Sequence, residues 1–118
     1  MKVLISDHLS DSAISIFKNK GIDVDYLPDI SREMLKKIIH NYDALAIRSN
    51  TNVDKEILLL SSNLKVIGRA GIGVDNIDID YATSKGIIVM NTPHGNSITT
   101  AEHTIAMIMS LARQIPDA

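Results

Sequence analysis

The sequence predicts an α/β fold, a flavodoxin-like, doubly wound sheet of five parallel strands closed by one long helix. Two observations carry this. Short β-branched runs such as "KVLI", "ALAI" and "GIIVM" are apolar throughout rather than alternating, as in strands buried on both faces. They alternate with amphipathic stretches, giving five βα units in about 95 residues, the rhythm of a parallel sheet with helices on both sides.

Met1 to Ser6 reads as the first strand. From about Ser10 to Lys20, Ala13, Ile14 and Phe17 share a helical face, and Gly21 is placed to stop the helix. Val24 to Leu27 is a second strand, ended by Pro28. Ser31 can N-cap the next helix, in which Met34, Leu35, Ile38 and Ile39 repeat at helical spacing. Ala44 to Ile47 is the third strand, Val53 to Leu60 a short helix, "LKVIG" the fourth strand, Ile77 to Ser84 a helix, and Gly86 to Asn91 the fifth strand. The last helix runs from Thr99, with Thr99 and Glu102 at capping-box spacing, to Pro116. Ile105 to Met109 is apolar without a break, so this helix must be covered on more than one side, by a second domain or another subunit. The chain is therefore expected to continue past Ala118.

The composition narrows the function classes. A net charge of −2, three tyrosines and one phenylalanine leave neither a basic patch nor a stacking platform for nucleic acid. With no cysteine there is no disulfide framework and no thiol chemistry. The opening apolar run is too short for a signal-peptide core or a membrane span, which points to the cytoplasm.

In an open α/β sheet, ligands bind outside the carboxyl ends of the strands. Those ends carry Ser6-Asp7, Arg48-Ser49-Asn50, Arg69 to Gly73, and Asn91 to Asn96, so two arginines and a glycine loop meet on one edge. The loop "GRAGIGVDN" misses the third glycine of G-x-G-x-x-G and follows the fourth strand rather than the first, so it is not a dinucleotide fingerprint. Two readings remain: a nest of amides from Gly71 to Val74, running into a helix N-terminus and holding a carboxylate, or a plain turn. A lone arginine is usually a surface ion pair, but Arg48 and Arg69 beside such a loop favour an anion clamp.

The remaining polar residues have simpler roles. Asp75, Asp78 and Asp80 lack calcium-loop spacing and suit a helix N-terminus. The four histidines lack metal-ligand spacing, so no metal site is expected. His103 reads as structural. A phosphoacceptor receiver domain would need an acidic pair after the first strand, an aspartate after the third and a lysine after the fifth. This chain has a single Asp7, then Arg48-Ser49, then Asn91. A flavodoxin's Ser/Thr-rich phosphate loop is also absent from "SDHLSD".

The segments "RSNT", "NLKVIGRAGIGVDNIDI" and "GIIVMNTPHGNSITTAEHTIAMIMSLARQIP" resemble the D-isomer-specific 2-hydroxyacid dehydrogenases, with similarity along essentially the whole chain. The resemblance implies a two-domain, NAD-dependent oxidoreductase. Residues 1–96 would form its substrate-binding domain, and residues 97–118 would be an interdomain connecting helix leading into a Rossmann domain. It implies oxidation of 3-phosphoglycerate to 3-phosphohydroxypyruvate in serine biosynthesis, in a cytoplasmic homo-oligomer. Arg48, Ser49, Arg69 and Asn96 would hold substrate together with the loop Gly71–Ile72–Gly73–Val74, and Ile72 and Glu102 would touch the cofactor. The family's dinucleotide loop, catalytic histidine, paired acid and carboxylate-binding arginine are not in this sequence, so the fragment alone is expected to be inactive. The alternatives are a dehydrogenase of another small 2-hydroxy acid, a stand-alone anion-binding module, and a domain acting only through oligomerisation.

Overall fold

The computed structural model describes residues 1–115. The elements follow as β1 (Lys2–Ile5), α1 (Asp11–Asn19), β2 (Asp23–Tyr26), α2 (Arg32–Ile38), β3 (Ala44–Ile47), α3 (Lys55–Leu60), β4 (Val66–Arg69), α4 (Ile79–Ser84), β5 (Ile88–Asn91) and α5 (Ser97–Ala112). A 3₁₀ turn, Ile39–Asn41, precedes β3. The strands form one sheet in the order β2-β1-β3-β4-β5, every pair parallel. The order reverses between β1 and β3, so the loops after these two strands open a crevice at the carboxyl edge.

Local chemistry sets the helix ends. Ser31 caps α2 by accepting the Met34 amide at 3.3 Å. Asp54 caps α3 and Asp78 caps α4, accepting the amides of Ile57 and Tyr81 at 3.2 and 2.9 Å. Two expected boundaries move for this reason. Val53 and Ile77, read as helix starts, instead form a parallel bridge just ahead of the two caps. Gly86, read as the start of a strand, terminates α4 at φ +72°. Its amide donates to Thr83 O and that of Ile87 to Ala82 O, both at 2.9 Å, which is a Schellman ending; Gly21 closes α1 in the same way.

Strand alternation splits the core in two. Leu4, Leu45, Ile47 and Ile67 face α2, α3 and α4 and meet Leu35, Ile57, Leu58 and Ala82 in the larger cluster. Val3, Ile5 and Ala44 face the other way and meet Ile14 and Phe17 of α1. Contrary to the expectation of two covered faces, the α1 side is sheltered only over β1 and β2. Ile88 and Met90 of β5 remain 62% and 58% exposed, beside a shallow groove lined by Phe17, Ala46, Val66 and Gly68.

No residue of α5 is buried, and Ile98, Ile105 and Ile108 lie open on it. The expected Thr99–Glu102 capping box does not form. The helix starts two residues earlier, after Asn96, whose carbonyl accepts the Thr100 amide at 2.9 Å, so Thr99 sits within the first turn. It ends at Ala112, and Pro116, the expected stop, lies outside the described residues. No described helix is long and apolar enough to cross a membrane.

Tyr42, two residues before β3, ties the approach to that strand to β2. Its hydroxyl donates to Asp25 Oδ2 at 2.6 Å, and Lys2 Nζ lies 2.8 Å from the same oxygen. The bonds from Lys2 and then Tyr42 hold the Asp25 carboxyl below its ordinary range. Burial, followed by the bond to Asp25, pushes the Tyr42 phenol up to about 12.

Two outcomes follow from this packing. Ile67→Ala should cost about 2–5 kcal/mol in denaturant melts and Ile88→Ala less than about 0.5, because only the first side chain is enclosed. The neutral Tyr42 phenol is favoured by folding, so its contribution is complete below the unfolded-state value of about 10 and declines as pH rises toward the folded value. Wild-type stability should therefore fall relative to Tyr42→Phe as pH rises from about 9 to 11, read as urea midpoints across that range.

A candidate anion site at the carboxyl edge of the sheet

Asp7, directly after β1, is 3% exposed and is the hub of this edge. Its Oδ2 accepts the amides of Arg48, Asn50 and Thr51 at 2.6, 3.2 and 3.2 Å, and its Oδ1 accepts the Thr51 hydroxyl at 2.6 Å. With that proton committed, Ser6 is the donor in the 2.8 Å Ser6–Thr51 hydroxyl bond. The loop after β3 is thus wrapped around one carboxylate and delivers Arg48 and Ser49 to the crevice.

Arg69, the last residue of β4, is held by Asn76. Its Nε donates to Asn76 Oδ1 at 2.8 Å, while Asn76 Nδ2 donates to the carbonyls of Arg48 and Thr51 at 2.8 and 2.7 Å. The Arg69 side chain is 11% exposed, and its carboxylate neighbour, Asp75, stands 3.9 Å from Nη2, beyond hydrogen-bond range. Among the described residues Arg48 pairs with no carboxylate. Arg69 thus has Asp75 as a loose ion-pair partner, and Arg48 Nη1 lies 3.5 Å from His8 O; both side chains line one cleft.

The glycine loop differs from the expected nest. Neither Gly71 nor Gly73 has a positive φ, and α4 begins only at Ile79, so the loop does not run straight into a helix N-terminus. What Gly71 supplies is room, since a Cβ there would stand 2.6 Å from Arg69 Nη1. The Gly71 amide turns back to Arg69 O at 3.0 Å, whereas the amides of Ile72, Gly73 and Val74 have no partner among the described residues. The end of β5 fixes the loop from the other side. The Thr92 amide donates to Gly71 O at 3.0 Å, and Asn91 Nδ2 donates to Ile72 O at 2.8 Å.

An open cleft of about 480 Å³ results, lined by Arg48, Ser49, Arg69, Gly71, Ile72, Gly73 and Asn96. Ala70, Thr92 and Gly95 complete it, three residues that sequence reasoning placed at the strand ends without assigning them to the site. Val74 and Glu102 are not in its lining. Sequence reasoning also missed Asp7 and Asn76 as site-builders. Asp7 carried a signal, an acidic residue at the end of the first strand, but Asn76 carried none. The cleft offers cationic nitrogens and free amides on one side of an apolar Ile72, a donor set that suits a small carboxylate or phosphate.

Comparison with known proteins bears on the fold and the family. Residues 3–113 match the family described as "D-isomer specific 2-hydroxyacid dehydrogenase, catalytic domain". The whole chain is 48% identical to the D-3-phosphoglycerate dehydrogenase of Archaeoglobus fulgidus, but spans only 22% of that protein's length. Among solved structures, an NAD+-bound 3-phosphoglycerate dehydrogenase of Entamoeba histolytica superposes with a TM-score of 0.82 at 31% identity, over 93% of this chain and 38% of the other. A protein from Thermus thermophilus does so with a TM-score of 0.89 at 27% identity, over 99% of this chain and 38% of that one.

The space argument for Gly71 can be tested apart from any ligand. Gly71→Ala should shift the urea midpoint by less than about 0.5 kcal/mol, since its backbone is one that alanine adopts freely. It should nonetheless shift the terminal nitrogens of Arg69 away from the loop, seen as a change in the Arg69 side-chain N–H signals in NMR spectra.

Proposed function

The chain belongs to the D-isomer-specific 2-hydroxyacid dehydrogenase family, and from that premise we propose that it is the substrate-binding part of an NAD-dependent dehydrogenase oxidising 3-phosphoglycerate to 3-phosphohydroxypyruvate. On this reading the enzyme serves serine biosynthesis as a cytoplasmic homo-oligomer. Residues 1–96 form the substrate domain, and residues 97–118 lead into the nucleotide-binding domain. The observation that carries the substrate class is the convergence of Arg48, Arg69 and the free amides of Ile72 and Gly73 on one cleft.

Each group has a task in binding. The guanidinium of Arg69 presents its terminal nitrogens as a bidentate fork, and Arg48 adds a second cation from the neighbouring strand end. The amides of Ile72 and Gly73 donate to the carboxylate of the acid, and Ser49 and Asn96 provide hydrogen bonds at the rim. Ile72, 44% exposed, and Glu102 on α5 are the points of contact proposed for the nicotinamide cofactor.

These residues do not by themselves form a dinucleotide cradle, because the glycine loop lacks the third glycine and is occupied by the Arg69 guanidinium. When bound, NAD supplies the hydride acceptor. The residues of this chain bind and orient the acid for it.

The full-length protein should reduce NAD with 3-phosphoglycerate, followed by absorbance, and should discriminate against D-glycerate and D-lactate. Arg69→Ala should raise KM for 3-phosphoglycerate by about 10–100-fold, the loss of a charge-assisted contact. A non-phosphorylated acid turned over as well as the phosphorylated one would replace this substrate with another 2-hydroxy acid.

A further inference from the structure

We propose that Asn76 is a positioning residue that locks the two cleft arginines into one unit, an assignment that rests on reading the cleft as an anion site. Asparagine has one acceptor oxygen and two amide hydrogens, and in this structure all of them are engaged by three different backbone or side-chain groups. The carbonyls of Arg48 and Thr51 can only accept, so both face Nδ2. The remaining oxygen must then face a donor, which is Arg69 Nε–H. Flipping the amide would set oxygen against two carbonyls and NH₂ against an N–H, so a single orientation survives.

This orientation decides what Arg69 can do. With Nε spent on Asn76, the guanidinium plane is fixed, and Nη1 lies over Gly71. The Nη1–Nη2 edge, rather than the Nε edge, is left for an incoming anion. The same amide clasps the loop that carries Arg48, at both of its ends. The backbone of Asn76 adds a third tie, accepting the Val53 amide at 2.8 Å. The loops after β3 and β4 are therefore registered to one another through a residue that does not line the cleft.

The first measurement needs neither variant nor substrate. In the wild-type full-length protein, Arg69 Nε–H should exchange with water much more slowly than Arg48 Nε–H, by about tenfold or more. Exchange at the rate of a free arginine would overturn the proposal, whatever the enzyme's substrate proves to be. The second measurement is a double-mutant cycle in steady-state kinetics. Asn76→Ala should raise KM for 3-phosphoglycerate by about tenfold, with KM for NAD and kcat changed by less than about threefold. In an Arg69→Ala background the same change should add little, because its target is gone. Fully additive effects would overturn the proposal, as would equal losses in both KM values. If the wild type turns over no phosphorylated acid, the substrate reading fails instead, and the exchange measurement still decides the role of Asn76.

Discussion

The carboxyl edge of this domain depends on one buried charge. A carboxylate taken out of water must be met by donors or it destabilises the fold, and Asp7 meets the requirement with three amides and a hydroxyl drawn from a single loop. The demand runs in both directions. Asp7 is satisfied only if residues 48–51 curl around it, and those residues have no regular structure of their own to hold them otherwise. The curl occurs at the strand-order reversal, where a parallel sheet necessarily leaves a crevice. A stability requirement of β1 therefore positions a cation of β3.

A second polar residue carries that order across to β4. Asp7 fixes the loop through its amides, and Asn76 fixes it through its carbonyls. Between them they take up backbone groups of opposite polarity on the same short segment, and Asn76 holds Arg69 through its Nε as well. Glycine at position 71 belongs to this arrangement because of the space it leaves rather than its torsion angles, since the guanidinium occupies the place where a side chain would begin. The loop is best understood as a seat for Arg69 that also exposes three amides.

Apolar periodicity was enough to place the ten helices and strands and the parallel architecture, although β2 alternates and β5 keeps Ile88 and Met90 exposed. It missed ends set by single polar contacts. Val53 and Ile77 looked helical until Asp54 and Asp78 were seen to cap one residue later, and Gly86 looked like strand until its positive φ placed it at the end of α4. The strand-end rule gathered Arg48, Arg69, Gly71 and Asn96 correctly onto one edge. It could not find Asn76, whose importance lies in contacts with residues 7, 25 and 28 positions away, which no local pattern encodes. Nor could it foresee that α1 would shelter only two strands, since the burial of an apolar run says nothing about which element provides the cover.

On the proposed reading, the two cations favour a doubly charged ligand over a singly charged one. Ile47 is the register partner of Arg69, so the residue after β3 and the last residue of β4 sit on adjacent strands, roughly 5 Å apart in the hydrogen-bonding direction. Two guanidinium side chains line one cleft from neighbouring strand ends, and Asp75, 3.9 Å from Arg69 Nη2, offsets part of the charge of one of them. An entering anion would, on this reading, be attracted to both charges. A lone carboxylate can do this at only one point, and the free amides of the glycine loop already provide a place for it. A phosphate at the other end of the same small acid can then engage the arginines. On the proposed reading, recognition would be divided between neutral amides and the two cations, and a molecule carrying an anionic group at each end would use both.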